Sequence, residues 1–178
     1  MPKRLKQLSE ELVHKNPYWE YKHDTYTLPN GGIGNYYYAQ TRGAVMVVPV
    51  TEDGRIVLTL QYRYLGDKQS IEFPAGGIEE ESDVLSAAKR ELREETGWEA
   101  EDWTKVGEFF SNNAILKANF HVFLAQVNTQ HTQELDDSEE IEVLYRRPNE
   151  IDDLIISNTI WDGTSLAAWA LVRSQLPV

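Results

Sequence analysis

Leu5, Leu8 and Leu12 recur at intervals of three and four residues, the spacing of one helical face, and predict a short amphipathic helix over residues 4–13. The period then changes. Residues 18–27 and 35–41 are rich in aromatic and β-branched side chains and flank Leu28-Pro29-Asn30-Gly31-Gly32, a turn composition, so they predict an antiparallel hairpin. Residues 43–50 (GAVMVVPV) and 55–62 (RIVLTLQY) predict two more strands joined at Glu52-Asp53-Gly54, and residues 71–73 a short strand leading into Pro74-Ala75-Gly76-Gly77. Residues 83–96 predict a helix, with Val84, Leu85, Ala88 and Leu92 along one face, Ser82 as N-cap and Gly97 at the C′ position. Residues 119–127 and 141–145 predict later strands. Pro148 opens a short helix carrying Ile151, Leu154 and Ile155, and a last helix is expected near 164–175. Strands crowd the middle and helices the flanks, which indicates an α/β domain of α+β type around a mainly antiparallel or mixed sheet. No repeat, low-complexity tract or linker divides the chain, so residues 1–178 are expected to form a single domain: an N-terminal helix and hairpin extension over 1–42, then a core over 43–178.

Composition narrows the function. With 41% hydrophobic and 26% charged residues, the chain has the make-up of a soluble globular protein. Its net charge of −12 argues against a nucleic-acid partner and against an anionic membrane surface, since both need a basic footprint. A phosphorylated substrate stays open, because a bound divalent cation supplies positive charge locally. The absence of cysteine excludes a disulfide framework, a thiolate zinc site and a cysteine nucleophile, and it fits a reducing, cytoplasmic setting. The first fifteen residues lack the apolar core of a secretory signal, and no apolar run reaches the roughly eighteen residues of a membrane span.

The chemistry gathers on the helix after the glycine turn. Glu91, Glu94 and Glu95 follow i, i+3, i+4 spacing and are expected to project from one face, with Leu85, Ala88 and Leu92 opposite. Such a stripe reads equally as a solvated acidic face or as a cation site. The loop Pro74–Gly77 ahead of it tips the balance, because strand, glycine-rich turn and acidic helix in that order make a platform for metal and phosphate. Hard oxygen donors at this density suit Mg²⁺ or Mn²⁺. Arg90, four residues before Glu94, can orient it.

Residues 76–98, GGIEEESDVLSAAKRELREETGW, resemble the Nudix box: a glycine, five residues, a glutamate, seven residues, then Arg-Glu-hydrophobic-x-Glu-Glu-x-Gly-hydrophobic. Gly76, Arg90, Glu91, Leu92, Glu94, Glu95, Gly97 and Trp98 are in register, and Ser82 replaces the first glutamate. Glu79, Glu80 and Glu81 are the neighbouring carboxylates that could compensate. The likeness extends over most of residues 17–172 and looks like the ADP-ribose and nucleoside-diphosphate-sugar pyrophosphatase branch. It implies an α/β/α sandwich around a mixed sheet, and a homodimer built with an N-terminal extension. It also implies Mg²⁺ (or Mn²⁺) held by Glu91, Glu94, Glu95 and the Ala75 carbonyl, with Glu95 and Arg90 counted in the catalytic machinery.

By the same resemblance, Arg63 and Glu72 are substrate-binding candidates and Trp19 is a candidate to stack on the base. For these the plainer alternatives are a surface ion pair and core packing. Glu139, with Glu140 beside it, is the candidate base, in the acidic loop before the strand at 141–145. The implied reaction is attack of water on one phosphorus of a nucleoside-diphosphate sugar, giving nucleoside monophosphate and sugar phosphate. Where the ADP-ribose enzymes carry Ser-Pro-Gly and then a glutamate, this chain has Ser111-Asn112-Asn113 and Lys117, so GDP-mannose or another ADP-sugar is as credible a substrate as ADP-ribose. A dinucleoside-polyphosphate or nucleoside-triphosphate hydrolase, and an inactive nucleotide-binding regulatory module, are the rival readings.

Overall fold

A computed structural model describes residues 1–80 and 82–176. The strands are β1 (Gln7–Lys15), β2 (Glu20–Thr27), β3 (Ile33–Gln40), β4 (Ala44–Val50), β5 (Ile56–Arg63), β6 (Lys68–Glu72), β7 (Ala75–Gly77), β8 (Trp98–Phe110), β9 (Leu116–Lys117), β10 (Asn119–Gln130) and β11 (Glu142–Arg146). The helices are α1 (Val84–Thr96), α2 (Pro148–Ile156) and α3 (Gly163–Val172), followed by a 3-10 turn at Arg173–Gln175. The chain divides into two compact units, Met1–Gly43 with Phe110–Asn119, and Ala44–Phe109 with the residues from Phe120 onward.

In the first unit four strands follow the order β1-β2-β3-β9. The helix expected over 4–13 does not form. Residues Gln7–Lys15 instead pair antiparallel with β2, from Gln7↔Tyr26 to Lys15↔Glu20, with register shifts between Gln7 and Ser9 and between Leu12 and His14. A spacing of four residues satisfies both the helical period and the strand period of two, so Leu8 and Leu12 alone could not separate the two structures. A helix of ten residues is marginal in water, whereas the open edge of the β2–β3 hairpin offers a full hydrogen-bond ladder. Side chains reinforce that pairing. Gln7 donates to Asp24 (2.8 Å), Ser9 meets Thr25 (2.6 Å) and Lys22 bridges to Glu10 (2.8 Å).

In the second unit a seven-stranded sheet runs β11-β5-β4-β10-β8, with β6 added to β5 and β7 to β4. It is mixed, since β4 and β10 are parallel while β5 is antiparallel to β11 and β6. Both faces are covered, which is why β4 reads as an unbroken apolar run. Met46 and Val48 point into a cluster with Ile151, Ala168 and Trp169 on the α2–α3 side. Val45 and Val47 point the other way, against Ala87, Ala88 and Leu92 of α1. This is the α/β/α sandwich that the resemblance implied. The strand β8 stands at the end of the strand order, where polar positions such as Glu99, Glu101 and Asp102 are tolerated, so no apolar alternation announces it. Among the described residues no helix is long and apolar enough to cross a membrane.

Helix α1 ends as expected and begins differently. Gly97 adopts φ 72°, and a side chain there would lie 2.2 Å from the His131 carbonyl oxygen. The N-cap is Asp83, not Ser82: its Oδ1 accepts from the backbone N–H of Leu85 and of Ser86, both at 3.0 Å. The Ser82 hydroxyl donates to the Asp83 carbonyl (3.2 Å) and leaves the helix donors alone. Asp83→Ala should therefore cost about 1 kcal/mol of unfolding free energy in a urea titration, the usual worth of an N-cap, and Ser82→Ala clearly less. Equal costs would return the cap to Ser82.

Candidate active site

Strand β4 assembles the site by holding a different element on each of two sides. Its edge pairs with β7, bringing Val45 opposite Gly76 and Met46 opposite Ala75. Its face packs on α1 through Val45 and Val47. The glycine turn and the acidic helix are thereby pressed together. A Cβ on Gly76 would sit 2.1 Å from the carboxyl carbon of Glu91, so a larger residue there would push the end of that side chain aside. The Ala75 N–H donates to Glu95 Oε2 at 3.1 Å. Arg90 fans across the same corner: Nη1 donates to Glu94 (2.8 Å), and Nη2 to Glu91 (2.7 Å) and to the Gly77 carbonyl (3.2 Å).

The carboxylates do not form a solvated stripe opposite Ala88 and Leu92. Glu91 and Glu95 are only 8% and 5% exposed, on the core side of the helix. At about 100° per residue, Glu95 lies two turns beyond Ala88 and almost directly above it. Only Glu94 stands on the flank, half-buried. Burial pushes the Glu91 carboxyl up to about 7, with Arg90 pulling the other way and the charges of Glu94 and Glu139 adding to the rise. Burial likewise lifts Glu95 to about 8, opposed by the Ala75 N–H and assisted by Glu91 and Glu139.

Glu91 shares the Arg90 guanidinium with Glu94 while Glu95 is met by the Ala75 N–H, so ionising both buried carboxylates leaves an excess of negative charge in a poorly solvated place. Their hard oxygens and the bare glycine backbone beside them fit a divalent cation. Among the described residues no group of three or more acidic or histidine side chains converges as a ready metal cage. At Ala75 the contact made is that of the N–H rather than the carbonyl. Near Ser82, Glu79 approaches Arg90 at 3.6 Å, while Glu81 lies outside the described residues.

The acidic loop is stitched to the end of α1. Gln133 donates to the carbonyls of Glu95 (2.6 Å) and Ile141 (3.1 Å), and Glu134 N–H donates to the Glu94 carbonyl (2.9 Å). Within the loop, Glu139 accepts from the Asp136 N–H at 3.1 Å. Glu139 is close enough for its charge to act on both Glu91 and Glu95. Gln133, the residue that anchors this loop, carries no motif that would single it out in the sequence.

Beside this corner lies a cleft of about 380 Å³. Arg63 and Glu72 share it with Ala75, Gly76 and Gly77. Arg63 Nε donates to Glu72 Oε1 at 2.8 Å, and its Nη2 grips Oε2 of the same carboxylate, which is 4% exposed. Asp162, Glu95 and Glu72 all help to hold the guanidinium charged. Leu65, Trp161 and Asp162 complete the wall. None of the three stands out in the sequence; Asp162 is seen as the N-cap of α3 only in the structure. Trp19 belongs to the first unit, 41% exposed, in a cleft of about 460 Å³ with Tyr21 and Tyr37.

A family model described as the NUDIX domain matches residues 40–168. The chain is 31% identical over 179 residues to an ADP-ribose pyrophosphatase of Bacillus subtilis (strain 168), covering 97% of this chain and 96% of that one. It is 29% identical over 154 residues to a methanol dehydrogenase activator of Bacillus methanolicus, covering 85% and 83%. A crystal structure of an ADP compounds hydrolase superposes with a TM-score of 0.84 at 23% identity, covering 97% of this chain and 94% of that one, a likeness of fold.

The buried acid has a measurable consequence. With Glu95 lifted from 4.5 to about 8, the folded state keeps a proton that the unfolded chain releases between those values. In chelator, stability should therefore fall as pH rises through that window. Glu95→Gln should melt several degrees higher than wild type at pH 8.5, with the gain vanishing near pH 4.5. A lower melting temperature for Glu95→Gln at pH 8.5 in chelator would contradict this burial cost.

Proposed function

The chain belongs to the Nudix hydrolase family, in its ADP-ribose and nucleoside-diphosphate-sugar pyrophosphatase branch, and we propose that it cleaves the diphosphate bond of a nucleoside-diphosphate sugar to nucleoside monophosphate and sugar phosphate. The observation that carries this reading is the Gly76–Glu91 contact, which sets two buried carboxylates beside the cleft that holds Arg63. The B. subtilis relative makes ADP-ribose the first substrate to try. GDP-mannose stays on the panel because of the Asn112-Asn113 and Lys117 departures.

Members of the family generally use divalent metal ions. Mg²⁺, or Mn²⁺ in its place, would be held by Glu91 and Glu95 with Glu94 at the flank, and when bound it neutralises diphosphate charge and makes water more acidic. Arg90 holds Glu91 and Glu94 in position. Arg63, braced by Glu72 through Nε and Nη2, offers its remaining donors to the diphosphate oxygens in a fixed fork. Glu139 takes the proton from the attacking water, since the box carboxylates are committed to the cation. In the first unit, the exposed Leu8, Leu12, Val13 and Ile33 suit a second copy of the chain, and a homodimer is part of this reading. The cysteine-free sequence supports a cytoplasmic place of action.

A second reading, a nucleotide-binding regulator, is favoured by Ser82 and by the similarity to the methanol dehydrogenase activator. A hydrolysis panel separates the two. Wild type with Mg²⁺ should turn over ADP-ribose or a related nucleotide sugar, and EDTA should abolish the activity. Binding without turnover at saturating Mg²⁺ would favour the regulator. On the active panel member, Glu139→Gln should lower kcat about a hundredfold or more, as loss of a general base does, with Mg²⁺ binding retained by calorimetry. Glu134→Gln should stay near wild type. A comparable loss in Glu140→Gln alone would shift the base by one residue.

A further inference from the structure

Trp161 is a large aromatic side chain kept half-buried on the wall of the cleft that holds Arg63. Its indole is fixed from three directions. Nε1 donates to the Gln69 carbonyl at 3.0 Å. The Lys68 ammonium lies 4.2 Å from the ring centroid, over one face. Gly66 abuts the ring edge so closely that a Cβ there would come within 2.8 Å of it. Packing requirements alone do not explain such an arrangement, because the ring still lines open space. Next to it Leu65, 98% exposed, lines the same cleft.

Arg63 and Lys68 stand directly opposite each other in the β5–β6 ladder, so their side chains share one face of the hairpin. Like charges in that position repel. Arg63 is relieved by Glu72 and Lys68 by the indole. The cleft thus combines a braced cation for phosphate oxygens with a preorganised aromatic face and an apolar neighbour. Its ligand should carry a diphosphate with, directly beside it or one sugar away, a group with a flat, weakly polar ring face.

We propose that Trp161 is a specificity-determining residue, whose free ring face receives the ring flanking the diphosphate of a nucleoside-diphosphate substrate. This rests on the pyrophosphatase reading for the identity of the diphosphate. A sugar and a nucleobase both present such a face, and the substrate panel tells them apart. With one indole face already under Lys68, a single ring can rest there, not a sandwich. Rigid placement lowers the ordering cost of binding, so the contact should show in KM more than in kcat.

The test compares Trp161→Phe with Trp161→Leu. Both lose the N–H to Gln69, and only Phe keeps a flat π face. For ADP-ribose, Trp161→Leu should raise KM about tenfold or more with kcat little changed, the loss of one stacked ring, and Trp161→Phe should stay close to wild type. A loss following adenine across different sugars assigns the ring to the base. A loss following ribose across different bases assigns it to the sugar. Direct binding of ADP-ribose in EDTA, by calorimetry, repeats the comparison without turnover. If wild type binds but does not hydrolyse, the pyrophosphatase reading fails while the Trp161 assignment is still decided by that comparison. Equal KM and Kd for the Phe and Leu variants, or no ADP-ribose or GDP-mannose binding at all by wild type, overturns the assignment.

Discussion

Glu91 lies where a side chain on residue 76 would have to be. A larger residue at position 76 would push that carboxyl group aside, and the contact requires β7 and α1 to meet at one spot on β4. The rest of the second unit can be seen as the scaffold for that meeting. Valines on one side of β4 hold the helix, its edge holds the turn, and the opposite face is closed by α2 and α3. Because close-packed interiors transmit small displacements, a shift in any of these layers would separate the turn from the helix.

The electrostatic character of the site follows from where that contact falls. Carboxylates placed on the core side of a helix resist ionisation, and loss of water around them is the main reason that Glu91 and Glu95 hold their protons so firmly. One guanidinium, Arg90, is spread over Glu91, Glu94 and the Gly77 carbonyl, too little to balance them. A cation held there, as proposed, would relieve the cost of placing negative charge in so poorly solvated a spot. The loop bearing Glu139 is tied to the same helix end by Gln133, which keeps a further carboxylate within reach of the pair.

The neighbouring cleft shows a complementary economy in a chain of net charge −12. Its lining cation, Arg63, is braced by a buried glutamate, and the nearby Lys68 lies over the Trp161 indole. Braced donors lose little freedom on binding an anion, which suits recognition of a diphosphate by few residues.

Much of this was legible in the residues alone. The i, i+3, i+4 glutamates, the arginine before them and the glycines at both ends stand in the register of the Nudix box, and the apolar run at 43–50 predicted the strand that became β4. Periodicity is a local property, so it located α1, its C-terminal glycine and most strands. It could not separate helix from strand at residues 4–13, where a spacing of four suits both and the open edge of β2 decided. It also could not say which side of α1 would be buried: Glu91 and Glu95 lie close to the Ala88 line, and their burial depends on β7 packing over them. The approach of Glu139, and the pairing of Trp161 with Lys68 across more than ninety residues of sequence, depend on contacts between distant segments. Such contacts are set by which surfaces the packed layers bring together, and no spacing along the chain encodes them.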